Sequence, residues 1–236
     1  MRAAWSRPML KFFFNLSPNP SKVALFLEEA GLPYEPHPVD TRRGQQFDPA
    51  FLAVNPNGKV PAIVDGDVTV FDSNAILLYL AEKTGQFMPP SDPVTRGETL
   101  SWLMFVATGI GPFSGQAVHF KHFAPERVPY ATNRYLHETK RHLGILDERL
   151  ANRRYVVGDS YSFVDMAVWG WTRMVPFILG DGAWTAYPNV QRLTEEIGAR
   201  PAAQRVLAMK DRFTFKAEMD DEARRVMFKH LDQHAA

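Results

Sequence analysis

The chain of 236 residues contains no cysteine. Disulfides, thiolate metal ligands and catalytic thiols belonging to the protein are therefore excluded. If thiol chemistry takes place here, the sulfur arrives with a ligand. An excess of one charge is also missing: 27 Lys and Arg stand against 26 Asp and Glu, a formal net charge of +1. That balance gives no electrostatic case for nucleic acid or an anionic membrane as partner. No apolar run approaches the ~18 residues that span a bilayer. Residues 1–8 carry Arg2 and Arg7 without an apolar core, so a short extension is expected there rather than a signal peptide, in a cytoplasmic protein. Seven histidines occur, none in a His-Glu-x-x-His spacing, and no metal site is expected. Internal repeats and low-complexity segments are absent.

What is present centres on Asn55-Pro56-Asn57-Gly58-Lys59-Val60-Pro61. Two turn dipeptides lead into a short apolar run, Ala62-Ile63-Val64, and Asp65-Gly66-Asp67 turns it back into Val68-Thr69-Val70-Phe71. Pro61 cannot donate to a ladder and must stand at the mouth of its strand, where a cis bond is plausible. The backbone of Val60 is then incompletely used by the sheet and open to another extended chain. The returning strand ends in Asp72-Ser73-Asn74, three residues able to cap the helix that follows. A helix start favours a carboxylate. An unused backbone edge and an anion-binding helix start, about a dozen residues apart, can together hold a small peptide.

Around this stretch the periodicity resolves into two halves. Leu10 to Phe14 reads as a buried strand, and Ser21 to Gly31 as a helix with Asn19 as N-cap and Pro20 at its first position. Tyr34 to Val39 reads as an edge strand, Pro49 to Asn55 as a helical turn, and the hairpin and helix above complete the half. Three prolines within residues 88–94 mark a linker between a domain over 9–87 and one over 95–236. The second domain is helical almost throughout: Thr95 to Thr108, Val128 to Ala151, Tyr187 to Ala199 and Pro201 to Met209. Gly109, Gly111, Pro112 and Gly115 are expected to interrupt and bend it. Ser162-Phe163-Val164-Asp165 is a capping box with a Tyr161/Met166 staple, opening a helix that carries Trp169 and Trp171. Asp165 is read as a folding residue whose loss costs of order 1 kcal/mol or more. Residues 210–236 mix charge with apolar positions and read as a docked or fraying helix.

The series Asn55 to Pro61, then Asp72-Ser73, then Ala75-Ile76-Leu77-Leu78-Tyr79-Leu80, resembles the glutathione-binding half of glutathione transferases. The likeness spans roughly residues 10 to 210. It implies a thioredoxin-like α/β domain followed by an all-α domain, and a homodimer. Ser17-Pro18-Asn19-Pro20 resembles the Thr-Pro-Asn loop of the bacterial nu class, with serine in place of threonine. Phe26 to Ala30, Gly44 to Phe47, Gly111-Pro112, Gly115-Gln116, His119-Phe120 and Arg134-Tyr135 extend that likeness. The nu class reduces disulfides with glutathione, lacks an active-site cysteine and conjugates weakly.

Carried onto this sequence, the resemblance implies a site for glutathione. Ser73 and its N–H would hold a ligand carboxylate, Asp72 would face the amine, and Val60 would clamp the cysteinyl backbone. Lys59 and Gln46 would reach the glycine carboxylate, and Arg134 would approach from the helical domain, of the same or the partner subunit. From spacing alone, Asp72 and Ser73 are as readily helix caps, Val60 ordinary strand, and the others solvated side chains. The sulfur needs stabilising, because a thiol of pKa near 8.5 is only a few per cent thiolate at neutral pH. Lowering that pKa by about two units takes roughly 2.7 kcal/mol. One or two charge-assisted hydrogen bonds, about 1.5–3 kcal/mol each, supply it. Ser17, Asn19 and the adjacent helix start are placed to do so. No tyrosine precedes Tyr34, which disfavours the tyrosine-type classes as the missing cysteine disfavours the cysteine-type ones.

His119 and His122 are weak candidates for base or metal chemistry. Phe105, Phe113, Phe120 and Phe123 can line a substrate pocket or serve as core. The expected activity is disulfide reduction with bound glutathione as the thiol. The alternatives are conjugation of small electrophiles at the same site and a non-catalytic binding module.

Overall fold

The structure, a computed structural model, describes residues 9–228. The expected N-terminal extension and the last eight residues of the C-terminal segment lie outside the described residues. Strand β1 (Leu10–Phe14) is followed by α1 (Pro18–Ala30), β2 (Tyr34–Pro38), α2 (Pro49–Leu52), β3 (Ala62–Asp65), β4 (Val68–Phe71) and α3 (Ser73–Thr84). The four strands lie in the order β2-β1-β3-β4, with β1 parallel to β2 and antiparallel to β3. This is a thioredoxin-like sheet.

Alternation along β1 sends Phe12 and Phe14 to the face covered by α1 and α3, and Phe13 to the other face. There Phe13 meets Phe51 of α2 in a smaller apolar cluster with Val39 and Ala62. The edge position of β2 suits Pro36 and Pro38, which have no N–H to give. The Val60–Pro61 bond is cis, and the ladder starts at Ala62, so Val60 stands outside it.

Helix α1 starts two residues earlier than expected from a cap at Asn19. Ser17 is its N-cap residue and Pro18 its first position, and Gly31 closes it at φ 63°. Asn19 is thus not the cap. Its side chain is engaged across the domain boundary instead, as described below.

The second half is helical, as the periodicity predicts. It comprises α4 (Pro93–Phe105), α5 (Gly111–Val118), α6 (Pro129–Leu150), α7 (Phe163–Thr172), α8 (Val175–Leu179), α9 (Pro188–Gly198) and α10 (Pro201–Leu207). Helix α4 begins within the expected linker, capped by Asp92 with Pro93 at its first position. Helix α8, too short for a periodic signal, was not expected. The glycine-rich stretch does not break the helix. Residues Val106–Ile110 and His119–Phe123 are π-helical turns on either side of α5, so the chain continues helically through it. Pro112 lacks the N–H that would bond Thr108, and the wider turn accommodates its ring.

Helix α7 is buried along its whole length and packs against α1, α3, α4 and α9. It is the axis on which the two halves meet. Beyond α10 the chain turns back toward the first domain. Phe213 and Phe215 stack edge-on to Phe14, and Asp40 accepts the Lys216 N–H at 2.7 Å. Arg42 donates to the Lys216 and Ala217 carbonyls. A short helix, α11 (Asp221–Met227), follows. Over its described residues, the segment expected as a docked or fraying helix is therefore an extended strap followed by about two helical turns.

Candidate active site

Two adjoining cavities open where α1 begins. The first, of about 620 Å³, brings Ser17, Asn19, Gln46, Lys59 and Val60 onto one wall. Gly115, Gln116, His119 and Phe120 form the facing wall, and Met227 and Phe228 close one end. The second, of about 660 Å³, is walled by Trp171, Met174, Phe177, Phe213, Phe215 and Met219. Asn15, Ser17, Thr41 and Phe123 border both. Ser17 therefore stands at the junction of a polar cleft and an apolar one.

The Ser17 loop is held from below. Asn15 Oδ1 accepts the Ser17 N–H at 3.0 Å while Asn15 Nδ2 donates to Thr41 Oγ1. The Ser17 hydroxyl makes no capping bond to α1, so the helix does not consume it. The first turn of α1 carries no acidic residue, so its positive dipole end is uncompensated. Arg173 adds charge nearby: its guanidinium donates to Ser21 Oγ at 2.8 Å and to the Leu16 carbonyl. Burial holds its pKa below the usual arginine range.

Asn19 is oriented by Trp171. The indole Nε1–H donates to Asn19 Oδ1 at 3.0 Å. An indole can only donate, so the amide must offer it oxygen, which leaves the Asn19 NH₂ for the cleft. Trp171 reaches this position because α5 presents glycines to it. A Cβ on Gly111 would stand 3.1 Å from Trp171 Nε1, and one on Gly115 3.4 Å from its Cη2. Gly109 plays the same part for His142, whose Nε2 would lie 2.4 Å from a Cβ there. These glycines, expected to bend a helix, instead make room for large rings. No local pattern marks Trp171 as a site residue; the glycine spacing opposite it is the signal the sequence offers.

Gln46 is 5% exposed and its Oε1 has no protein partner among the described residues. Gly58 sits at φ 62°, where a Cβ would stand 3.3 Å from the Gln46 carbonyl. A side chain there would push the Gln46 loop away from the Lys59-Val60 segment. Asn55, also not singled out from sequence, shapes that segment: it accepts from Asn57 N at 3.0 Å and donates to the Lys59 carbonyl at 2.6 Å.

Asp72, Ser73 and Arg134 do not line either cavity. Asp72, at φ 74°, caps α3 by accepting from Asn74 N and Ala75 N. Ser73 is 2% exposed, and its Oγ accepts from Lys22 Nζ at 3.3 Å. Arg134 is exposed on α6 and pairs with Glu138 at 2.8 Å. Of the two histidines, His119 lines the cleft against Phe228, while His122 stacks on Phe177 with centroids 4.4 Å apart. Phe120 and Phe123 face the cavities, but Phe105 and Phe113 pack on the buried His142 ring. Among the described residues no group of three His, Asp or Glu is placed to hold a metal ion.

A thioredoxin-like domain whose first helix start faces an all-helical domain defines the class as that of glutathione transferase architecture. Comparison with known proteins agrees. The description "Glutathione S-transferase, N-terminal domain" matches residues 16–83, and "Glutathione S-transferase, C-terminal domain" matches residues 116–201. The disulfide-bond oxidoreductase YfcG of Escherichia coli K12 is 41% identical over 228 residues, spanning 91% of this chain and 98% of its own. The disulfide-bond oxidoreductase YghU of the same organism is 41% identical over 208 residues, 80% of this chain and 70% of its own. A glutathione transferase from Burkholderia graminis, solved with two glutathione molecules per subunit, superposes with a TM-score of 0.80 at 40% identity, over 87% of this chain and 90% of its own. One from Pseudomonas putida, solved with one glutathione disulfide per subunit, gives a TM-score of 0.79 at 36% identity, over 87% and 93%. The chain belongs to the glutathione S-transferase family.

Proposed function

We propose that this protein is a glutathione-dependent disulfide oxidoreductase of nu type, acting in the cytoplasm as a homodimer, in which bound glutathione supplies the sulfur. The carrying observation is a cysteine-free chain with two polar groups at one helix start, the Ser17 hydroxyl at the join of a polar and an apolar cavity and the Asn19 NH₂ lining the polar one. Both can donate to a thiolate, and the start of α1 adds its dipole. Gln46 and Lys59 flank the polar cleft for the glycine carboxylate, and Val60 offers its free backbone edge to the cysteinyl unit. Asp72 and Ser73 would receive the amine and carboxylate of the γ-glutamyl end, with Arg134 contributed by the partner subunit. The glutathione thiolate attacks one sulfur of a disulfide and expels the other as thiolate, leaving a mixed disulfide. A second glutathione releases the remaining thiol and forms glutathione disulfide, so two glutathiones and one disulfide become one glutathione disulfide and two thiols. The two oxidoreductase relatives and the neighbours solved with two glutathiones or with their disulfide support this sequence.

Replacing Ser17 and Asn19 together by alanine should lower kcat/KM for a dialkyl disulfide by at least 100-fold, given two lost charge-assisted bonds of about 1.5–3 kcal/mol each. Unchanged reductase activity would overturn the assignment. The apolar second cavity also suits a small electrophile. An aryl halide turned over much faster than any disulfide, in parallel assays, would reverse the order in favour of conjugation.

A further inference from the structure

Among the described residues Lys22 is the one lysine in the core, 1% exposed on the inner face of α1. Its stem lies along Gly170 of α7, where a Cβ would come within 2.4 Å of Lys22 Cγ and 3.1 Å of its Cε. The amine emerges beneath the first turn of α3, 3.3 Å from Ser73 Oγ and 3.4 Å from Asn74 Oδ1. Both partners are neutral. Asp72 acts on the ammonium through space but does not pair with it, and Arg173, which α7 brings to Ser21 Oγ on α1, is a further cation nearby. Burial pulls the Lys22 pKa down to about 7, with Asp72 opposing. A buried charge of this kind is costly without a counter-ion.

We propose that Lys22 is a positioning residue for the anionic end of the ligand: by donating to Ser73 Oγ it turns the Ser73 hydroxyl outward as a donor, and its ammonium supplies the counter-charge that a ligand carboxylate meets. The inference rests on the glutathione reading above, in which a carboxylate docks at Ser73. An ammonium has no acceptor, so a serine oxygen that accepts from it keeps its own proton for another partner. When the carboxylate arrives, the charged form of Lys22 gains a partner one hydroxyl away. Docking is therefore linked to proton uptake at neutral pH, and affinity declines as pH rises and the amine is neutralised.

The test uses S-methylglutathione, whose blocked thiol removes the proton release that thiolate formation would add. Calorimetric titration at pH 7.5, in buffers of differing ionisation enthalpy, should show net proton uptake by the wild-type protein. Between pH 6.5 and 8 its Kd should weaken several-fold. In Lys22→Met, the uptake should vanish, the Kd should be about tenfold weaker at pH 6.5, and the pH dependence should flatten. In turnover the loss should fall mainly on KM for glutathione rather than on kcat. His119 also lines the cleft, so uptake that persists in Lys22→Met overturns the proposal. Equal Kd for the two proteins overturns it as well. The wild-type measurement stands alone should the variant fail to fold: binding without net proton uptake rejects the role of Lys22. Failure of the wild type to bind S-methylglutathione at all rejects the glutathione reading itself.

Discussion

Trp171 can only donate, and that single fact fixes which end of the Asn19 amide faces the cleft. Trp171→Phe keeps the ring between Gly111 and Gly115 but removes the donor, freeing the amide to turn its oxygen toward the sulfur. We expect kcat/KM for a disulfide to fall about tenfold, the value of one charge-assisted bond, with the limb of the pH–rate profile that reports the glutathione thiol moved to higher pH. A variant with wild-type kcat/KM would show that Asn19 orientation is set by something else. Asp165 shows the opposite case, a buried acid with no chemistry. Its carboxylate accepts from Ser162 N and Val156 N at 2.8 Å each and from the Ser162 hydroxyl. Burial outweighs these bonds and raises its pKa to about 6. The folded state then binds the proton more readily than the unfolded chain between about pH 4 and 6. Its stability contribution falls as pH rises through that window and is flat above it. Asp165→Asn should abolish this slope in urea-unfolding series across pH 4 to 7. Asp165→Ala should cost about 2–4 kcal/mol through the orphaned donors.

At the scale of elements, the decisive contact is α1 on α7. It joins the thioredoxin-like half to the helical half, and Gly170 makes it possible. A Cβ on Gly170 would stand 2.7 Å from the Pro18 carbonyl as well as against the Lys22 stem. The carbonyl belongs to the first turn of α1 and cannot swing aside like a side chain. Gly170→Ala should therefore separate the two helices, cost about 2 kcal/mol or more in denaturant unfolding, and displace the Ser17–Asn19 turn that α1 begins with. The activity loss should exceed the stability loss, since the nearest backbone atom, the Pro18 carbonyl, is one residue from Ser17. Gly31→Ala, which meets nothing within 4 Å, is the control: only its φ of 63° makes it mildly destabilising.

At the scale of the whole molecule, the chain passes between the two halves twice, once from α3 into α4 and again as the strap that returns to β1. The strap is held by Phe213 and Phe215 on Phe14 and by Asp40 on the Lys216 N–H. It walls the apolar cavity, and α11 at its end brings Met227 to both cavities. Phe213→Ala combined with Phe215→Ala should lower the melting temperature by several degrees. It should also raise KM for an apolar disulfide about tenfold while changing KM for glutathione less. Equal effects on the two substrates would mean that the strap serves the fold alone.

Much of this was legible in the chain itself. The strand at Leu10–Phe14, the Val60-Pro61 break, the Asp72 cap and the Ser162/Asp165 box are local signals, each set within a few residues, and all were found where expected, although β1 alternates in burial where a fully buried strand was expected. Hydrophobic period separated the sheet half from the helical half for the same reason. The sequence could not show that Asn19 meets Trp171, 152 positions away. Nor could it show that glycines read as breakers are sockets for rings, or that the last segment folds back as a strap. A glycine is a turn signal when only its neighbours are known, and a site for close approach once a partner from another helix is in view. Lys22 stands for the rest: along the chain it is one cation among 27, and only the packing of α1, α3 and α7 takes it out of water and sets it behind Ser73.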